Sequence, residues 1–126
     1  ALTSVSGSSA VVNGGIVSYA NEVKEHSLGV SSVDLQQYGA VSSQVAEQMA
    51  YGAHDSLRSD IAVSVTGIAG PGGGTKEKPV GTVWFGVCSS RGTKSEVRHF
   101  EGDRESVRNQ TVSCALKLFK DELNSI

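Results

Sequence analysis

A layered α/β domain, a mixed β-sheet flanked by helices, is the fold class this sequence predicts, and three observations predict it. Gly81 to Ser89 is nearly continuous in apolar residues, which marks a strand buried on both faces and central in its sheet. Segments 43–57 and 104–124 repeat apolar residues at helical spacing. Between the apolar stretches Ile61–Val65 and Val83–Val87 lies Thr66-Gly67-Ile68-Ala69-Gly70-Pro71-Gly72-Gly73-Gly74, a glycine-rich loop joining two strands. Elements in such an order pack as helices on a sheet.

Val11 to Tyr19 is apolar and β-branched, interrupted by Asn13-Gly14-Gly15, and predicts a strand entered through a turn or bulge. Ala20 to His26 suits a short helix. Ser32 to Tyr38 is a second, closed by Gly39. Val41-Ser42-Ser43 offers hydroxyl caps to a longer helix carrying Val45, Met49, Ala53 and Leu57 on one face. The strand Asp60–Thr66 leads into the glycine loop. Ser95 to Phe100 alternates polar and apolar, as a strand nearer an edge does. Asp103 can cap a last helix to about Asn124, with Val112, Ala115, Leu116, Phe119 and Leu123 as its buried stripe.

The chain's 126 residues fit one domain, with no internal repeat and no linker. A net charge of −2 with scattered lysines and arginines excludes a nucleic-acid face and a membrane-surface helix. No apolar run reaches membrane-spanning length, and no signal-peptide pattern opens the chain. Cys88 and Cys114 read as buried free thiols of a reduced cytoplasm. His26, His54 and His99 have no ligand spacing, so neither metal nor cofactor is expected.

Three places can carry chemistry. The glycine loop fits neither the Walker order, since Gly74-Thr75-Lys76-Glu77 breaks it, nor the dinucleotide fingerprint, since Pro79 and a β-rich run follow instead of a helix. Its composition alone suits a flexible surface loop. Yet Gly67 and Gly70 stand at a strand's end, where α/β proteins seat ligands and bare backbone N–H groups can approach them. In Tyr19-Ala20-Asn21-Glu22-Val23-Lys24, Lys24 lies one turn into a helix, and its side chain leans back toward Tyr19. A partly desolvated lysine there loses proton affinity and can act as a base; the plain alternative is a solvated surface lysine. Arg104 and Arg108, four apart, suit a phosphate or carboxylate, or else pair with Glu101 or Glu105. Gly7-Ser8-Ser9 offers hydroxyls to a ligand or simply forms a turn.

Taken in order, Gly7-Ser8-Ser9, Gly15-Ile16-Val17-Ser18-Tyr19-Ala20-Asn21-Glu22-Val23-Lys24, Gly39-Ala40-Val41-Ser42, Thr66-Gly67-Ile68-Ala69-Gly70-Pro71, Lys78-Pro79-Val80-Gly81-Thr82-Val83 and Gly102-Asp103-Arg104 carry a resemblance along the whole chain. It resembles the C-terminal domain of the competence/damage-inducible protein CinA, the bacterial nicotinamide-nucleotide amidase (NMN deamidase) family. The resemblance implies a single amidase domain over residues 1–126 that converts nicotinamide mononucleotide and water to nicotinic acid mononucleotide and ammonia in pyridine-nucleotide salvage. It also implies a Ser/Lys-type mechanism, with Lys24 as general base and Tyr19 orienting it or protonating the leaving group. Asn21, Thr66, Gly67 and Gly70 would border the substrate, and Arg104 and Arg108 would take its 5′-phosphate. The family's serine lies in a Glu-Ser-(Cys/Ala)-Thr-Gly-Gly motif between its first strand and first helix. That motif is absent here, because Ala1 falls where the first helix would be ending. Either the chain is part of a longer protein, the reading favoured because a helix cut mid-course leaves apolar surface uncovered, or it is an inactive relative. A non-catalytic nucleotide-binding module and an amidase for another small amide are the rival functions. A cytoplasmic homo-oligomer acting on a small nucleotide, without nucleic-acid or membrane partners, completes the expectation.

Overall fold

The computed structural model describes residues 2–126. After a 3₁₀ turn at Ser8–Ala10, the described residues form α1 (Asn21–Leu28), α2 (Ser32–Tyr38), α3 (Ser43–Leu57), β1 (Ala62–Gly67), β2 (Thr82–Ser89), β3 (Gly92–His99) and α4 (Arg104–Leu123). The strands make one sheet in the order β1-β2-β3, and both pairings are antiparallel. The layered α/β class read from the sequence is present, with β2 central and β3 at an edge. No helix among the described residues is long and apolar enough to cross a membrane.

Side-chain alternation gives the sheet two covered faces. Ala62, Ser64 and Thr66 of β1 are buried on the face that α3 packs. The Ser64 hydroxyl donates to the Ala46 carbonyl of α3 at 2.5 Å. Ser64 lies opposite Gly86, and a Cβ at Gly86 would collide with that same carbonyl and hydroxyl. Leu28, Val30, Leu35, Val45 and Met49 form the core beneath α1 and α2. On the other face Val83, Phe85 and Val107 build a second core with Phe100, Ala115 and Leu118. Phe85 has no exposed surface and meets the Phe100 ring edge to face, with centroids 6.3 Å apart.

Helix ends follow the hydroxyls and carboxylate in the sequence. Ser31, Ser42 and Asp103 each accept from a backbone N–H two or three residues into α2, α3 and α4. Two readings need correction. Val11 to Tyr19 is not a strand: it pairs with none of the described strands, and Asn13 instead donates to the Leu57 and Arg58 carbonyls at the end of α3. β-branched composition favours extended backbone, but only a ladder partner makes a strand of it. The α4 stripe is also rotated. Val112, Leu116 and Leu123 are exposed, the last at 63%; Ala115 faces the core as expected and Phe119 is half-buried, but Val107, Cys114 and Leu118 take the other core positions. Cys88 is buried and Cys114 only half-buried, and both are free.

The end of α4 is fixed by a buried carboxylate. Glu122 is 3% exposed and accepts from the Ser89 hydroxyl, while Lys94 and Arg91 of the β2–β3 hairpin approach within 3.2 and 3.6 Å. The Ser89 hydrogen bond, then Lys94 and Arg91, hold its pKa below the usual glutamate value against the opposing pull of burial. A carboxyl depressed in the folded state adds stability above its unfolded pKa and loses that contribution as pH falls through its folded pKa. In urea titrations, the stability gap between the parent chain and Glu122→Gln should therefore narrow as pH falls below the ordinary glutamate value. A gap constant over that range would show that the charge of Glu122 contributes nothing.

Candidate active site

Lys24 is the lysine whose setting departs furthest from that of a surface side chain. α1 starts without a side-chain cap after an extended Ala20, which turns the preceding strand of chain back across the helix's first turn. Lys24 is only 6% exposed there, and its Nζ donates to the Ser18 carbonyl at 2.6 Å. Among the described residues no carboxylate pairs with it. Desolvation without a counter-charge disfavours the ammonium and lowers its pKa from the ordinary lysine value.

Tyr19 stands differently from the sequence expectation. Along the extended segment Ile16 and Ser18 are half-buried, whereas Val17 and Tyr19 are 88% and 89% exposed. Nζ takes the Ser18 carbonyl, rather than the Tyr19 hydroxyl, as its partner. Asn21, the first residue of α1, is exposed.

The glycine loop forms a second cluster. Its two limbs are joined where the Ile68 N–H donates to the Thr82 carbonyl at 2.9 Å and the Gly81 N–H to the Ile68 carbonyl at 2.7 Å. The limbs fold so closely that a Cβ at Gly67 would lie 2.8 Å from Val83, and one at Gly70 2.5 Å from Val80. Gly70 also holds a φ of 84°, which favours glycine. Thr66 is buried, and its hydroxyl donates to the Ala40 carbonyl at 2.8 Å, tying the end of β1 to the connection before α3.

Arg104, first in α4, donates from Nη1 to the Gly70 carbonyl at 2.9 Å. One of the five guanidinium donors is thereby engaged. Neither arginine forms an ion pair with Glu101 or Glu105. Arg108 is exposed, one turn further on. The structure therefore joins Gly70 to Arg104 and Thr66 to Ala40, and Lys24 to Ser18. No hydrogen bond or ion pair links the lysine cluster to the loop cluster among the described residues. Ser8 and Ser9 lie in the 3₁₀ turn after Gly7, whose φ is 85°.

Two open hollows occur elsewhere. One, of about 450 Å³, is lined by His54, Arg58, Asp60 and Ser90, the other, of about 500 Å³, by His26, Glu47, Tyr51 and Thr93. None of the candidate catalytic or substrate-binding residues read from the sequence lines either. Sequence reasoning left Lys78 without a role, although it stands in the distinctive string Lys78-Pro79-Val80-Gly81-Thr82; its Nζ donates to the Tyr38 carbonyl at the end of α2.

Comparison with known proteins gives this arrangement its relatives. The family model described as the CinA C-terminal domain matches residues 1–123. The nicotinamide-nucleotide amidohydrolase PncC of Enterobacter agglomerans is 50% identical over 118 residues, covering 93% of this chain and 72% of that protein. A CinA-like protein of Rippkaea orientalis is 50% identical over 97% of this chain, which spans 30% of its length. The crystal structure of the competence/damage inducible protein CihA from Agrobacterium tumefaciens superposes with a TM-score of 0.91 at 45% identity, covering 95% of this chain and 74% of that one. With the family model spanning the buried lysine, the glycine loop and the arginine at the head of α4 alike, the chain belongs to the CinA C-terminal domain family.

Proposed function

We propose that the chain is a nicotinamide-nucleotide amidase domain that hydrolyses the carboxamide of nicotinamide mononucleotide to the carboxylate and releases ammonia. The observation that carries this reading is Lys24, a buried amine with a lowered pKa and a single carbonyl partner. The name and 50% identity of the Enterobacter agglomerans relative support the substrate. As a neutral amine, Lys24 takes the hydroxyl proton of the serine nucleophile that the family resemblance implies. The alkoxide adds to the amide carbon, and the tetrahedral adduct expels ammonia with a proton returned from Lys24 or Tyr19. Water then hydrolyses the ester by the same base. Asn21, Thr66, Gly67 and Gly70 border the nicotinamide riboside, and the free donors of Arg104, with Arg108, take the 5′-phosphate. A cytoplasmic homo-oligomer belongs to the same proposal.

The test is ammonia release from nicotinamide mononucleotide by the full-length natural protein that contains residues 1–126, measured against a panel of other small amides. Turnover confined to the mononucleotide is the expected result. Binding without release would make this a nucleotide-binding module instead, and release from another amide alone would reassign the substrate.

A further inference from the structure

Lys78 is a cation of the glycine loop that the mechanism above does not use. It sits on the loop's return limb, where residues 75–78 close a turn. The Lys78 N–H donates to the Thr75 hydroxyl at 3.0 Å, and the Thr75 N–H donates to the Lys78 carbonyl at 2.8 Å. That turn aims the side chain at α2, and Nζ donates to the Tyr38 carbonyl. The carbonyls that end a helix have no partner within it and carry its negative pole, so an ammonium is favoured there. The fit is close, since a Cβ on Gly39 would stand 3.1 Å from Nζ.

Two residues beyond Tyr38, the Ala40 carbonyl accepts the Thr66 hydroxyl. The connection between α2 and α3 is thus gripped twice, by the loop's return limb and by the end of β1. At its start the loop is held to α4 through Arg104 and the Gly70 carbonyl. Between these anchors Pro71 to Glu77 is exposed and has no core of its own, so the anchors set its position.

We propose that Lys78 is a positioning residue, a strap to α2 that fixes the glycine-rich loop against Thr66 and thereby the shape of the substrate pocket. It acts through the loop and touches no reacting atom. The pocket half of this inference rests on the amidase reading; the strap half does not.

The experiment is Lys78→Met in the full-length natural protein, read by steady-state kinetics with nicotinamide mononucleotide and by limited trypsin cleavage after Lys76. Lys76 is exposed, and Pro79 protects the bond after Lys78, so one cut reports the loop. KM is expected to rise roughly tenfold, the scale of one charge-assisted hydrogen bond, with kcat little changed. Cleavage after Lys76 is expected to accelerate while cleavage after Arg91 in the β2–β3 hairpin does not. Thr75→Val, which keeps the ammonium but removes the turn's hydroxyl, should move both readouts the same way. Unchanged cleavage overturns the strap. Faster cleavage with KM unmoved, or a loss in kcat alone, overturns the positioning of the pocket. A full-length parent protein without turnover sinks the amidase reading and the pocket half with it, while the strap is still decided by trypsin.

Discussion

Lys24→Met is expected to lower turnover of nicotinamide mononucleotide by ~10²–10⁴, the range a positioned general base contributes, while leaving the fold as stable as before or more so. The two halves of that expectation have one cause. The lysine stem is buried and methionine replaces most of its volume, whereas the ammonium is desolvated and unpaired with any carboxylate. Its pKa is lowered in the folded state, so the unfolded chain holds the proton more tightly. Stability then rises with pH through the window between the folded and unfolded values, and the penalty is greatest below that window. The relief given by methionine should be greatest at low pH and fade as pH climbs to the ordinary lysine range. Lys24→Arg is expected to be as inactive as the methionine variant, because a guanidinium does not give up its proton. In the parent chain kcat/KM should rise with pH below the ordinary lysine value, as the ammonium becomes the amine. A methionine variant with most of its activity would remove Lys24 from the chemistry. One that is inactive and also poorly folded would make its role structural.

How much of this was readable in the sequence depends on how local the cause was. β2 announced itself because burial on both faces leaves no polar alternation, and the caps Ser42 and Asp103 because a hydroxyl or carboxylate must sit beside the helix it serves. Lys24 was legible for the same reason, as its partner Ser18 lies six residues away. The α4 stripe was not. Val112, Leu116 and Leu123 repeat as regularly as Val107, Cys114 and Leu118, and only the position of the sheet decides which face it covers. A buried Glu122 cannot be told from a solvated one until Ser89 and Lys94 are brought to it across the hairpin. Val11 to Tyr19 had strand composition without a strand neighbour. Lys78 escaped because its partner is a carbonyl forty residues distant, and every residue offers one of those.

Gly86→Ala should destabilise the chain by about 3 kcal/mol, combining an overpacked contact with a strained buried hydrogen bond. The added methyl has no empty direction to take. It would point at α3, where the Ala46 carbonyl and the Ser64 hydroxyl that binds it already occupy the space. Backbone of a central strand and backbone of a buried helix cannot yield as a flexible side chain can, so α3 must lift from the sheet. Against a total stability of about 5–15 kcal/mol, that is a large fraction. Gly15→Ala is the matched control, since a Cβ there meets nothing within 4 Å, and it should leave the denaturant midpoint almost unmoved. The effect also reaches the site, because α3 is preceded by Ala40, whose carbonyl holds the Thr66 hydroxyl at the mouth of the glycine loop. The surviving folded fraction of Gly86→Ala should therefore bind the mononucleotide more weakly, with KM raised and Lys24's pH dependence retained. A denaturant midpoint equal to that of the control would mean that α3 slides along the sheet to make room, and the close helix–sheet approach would then not be what fixes α3.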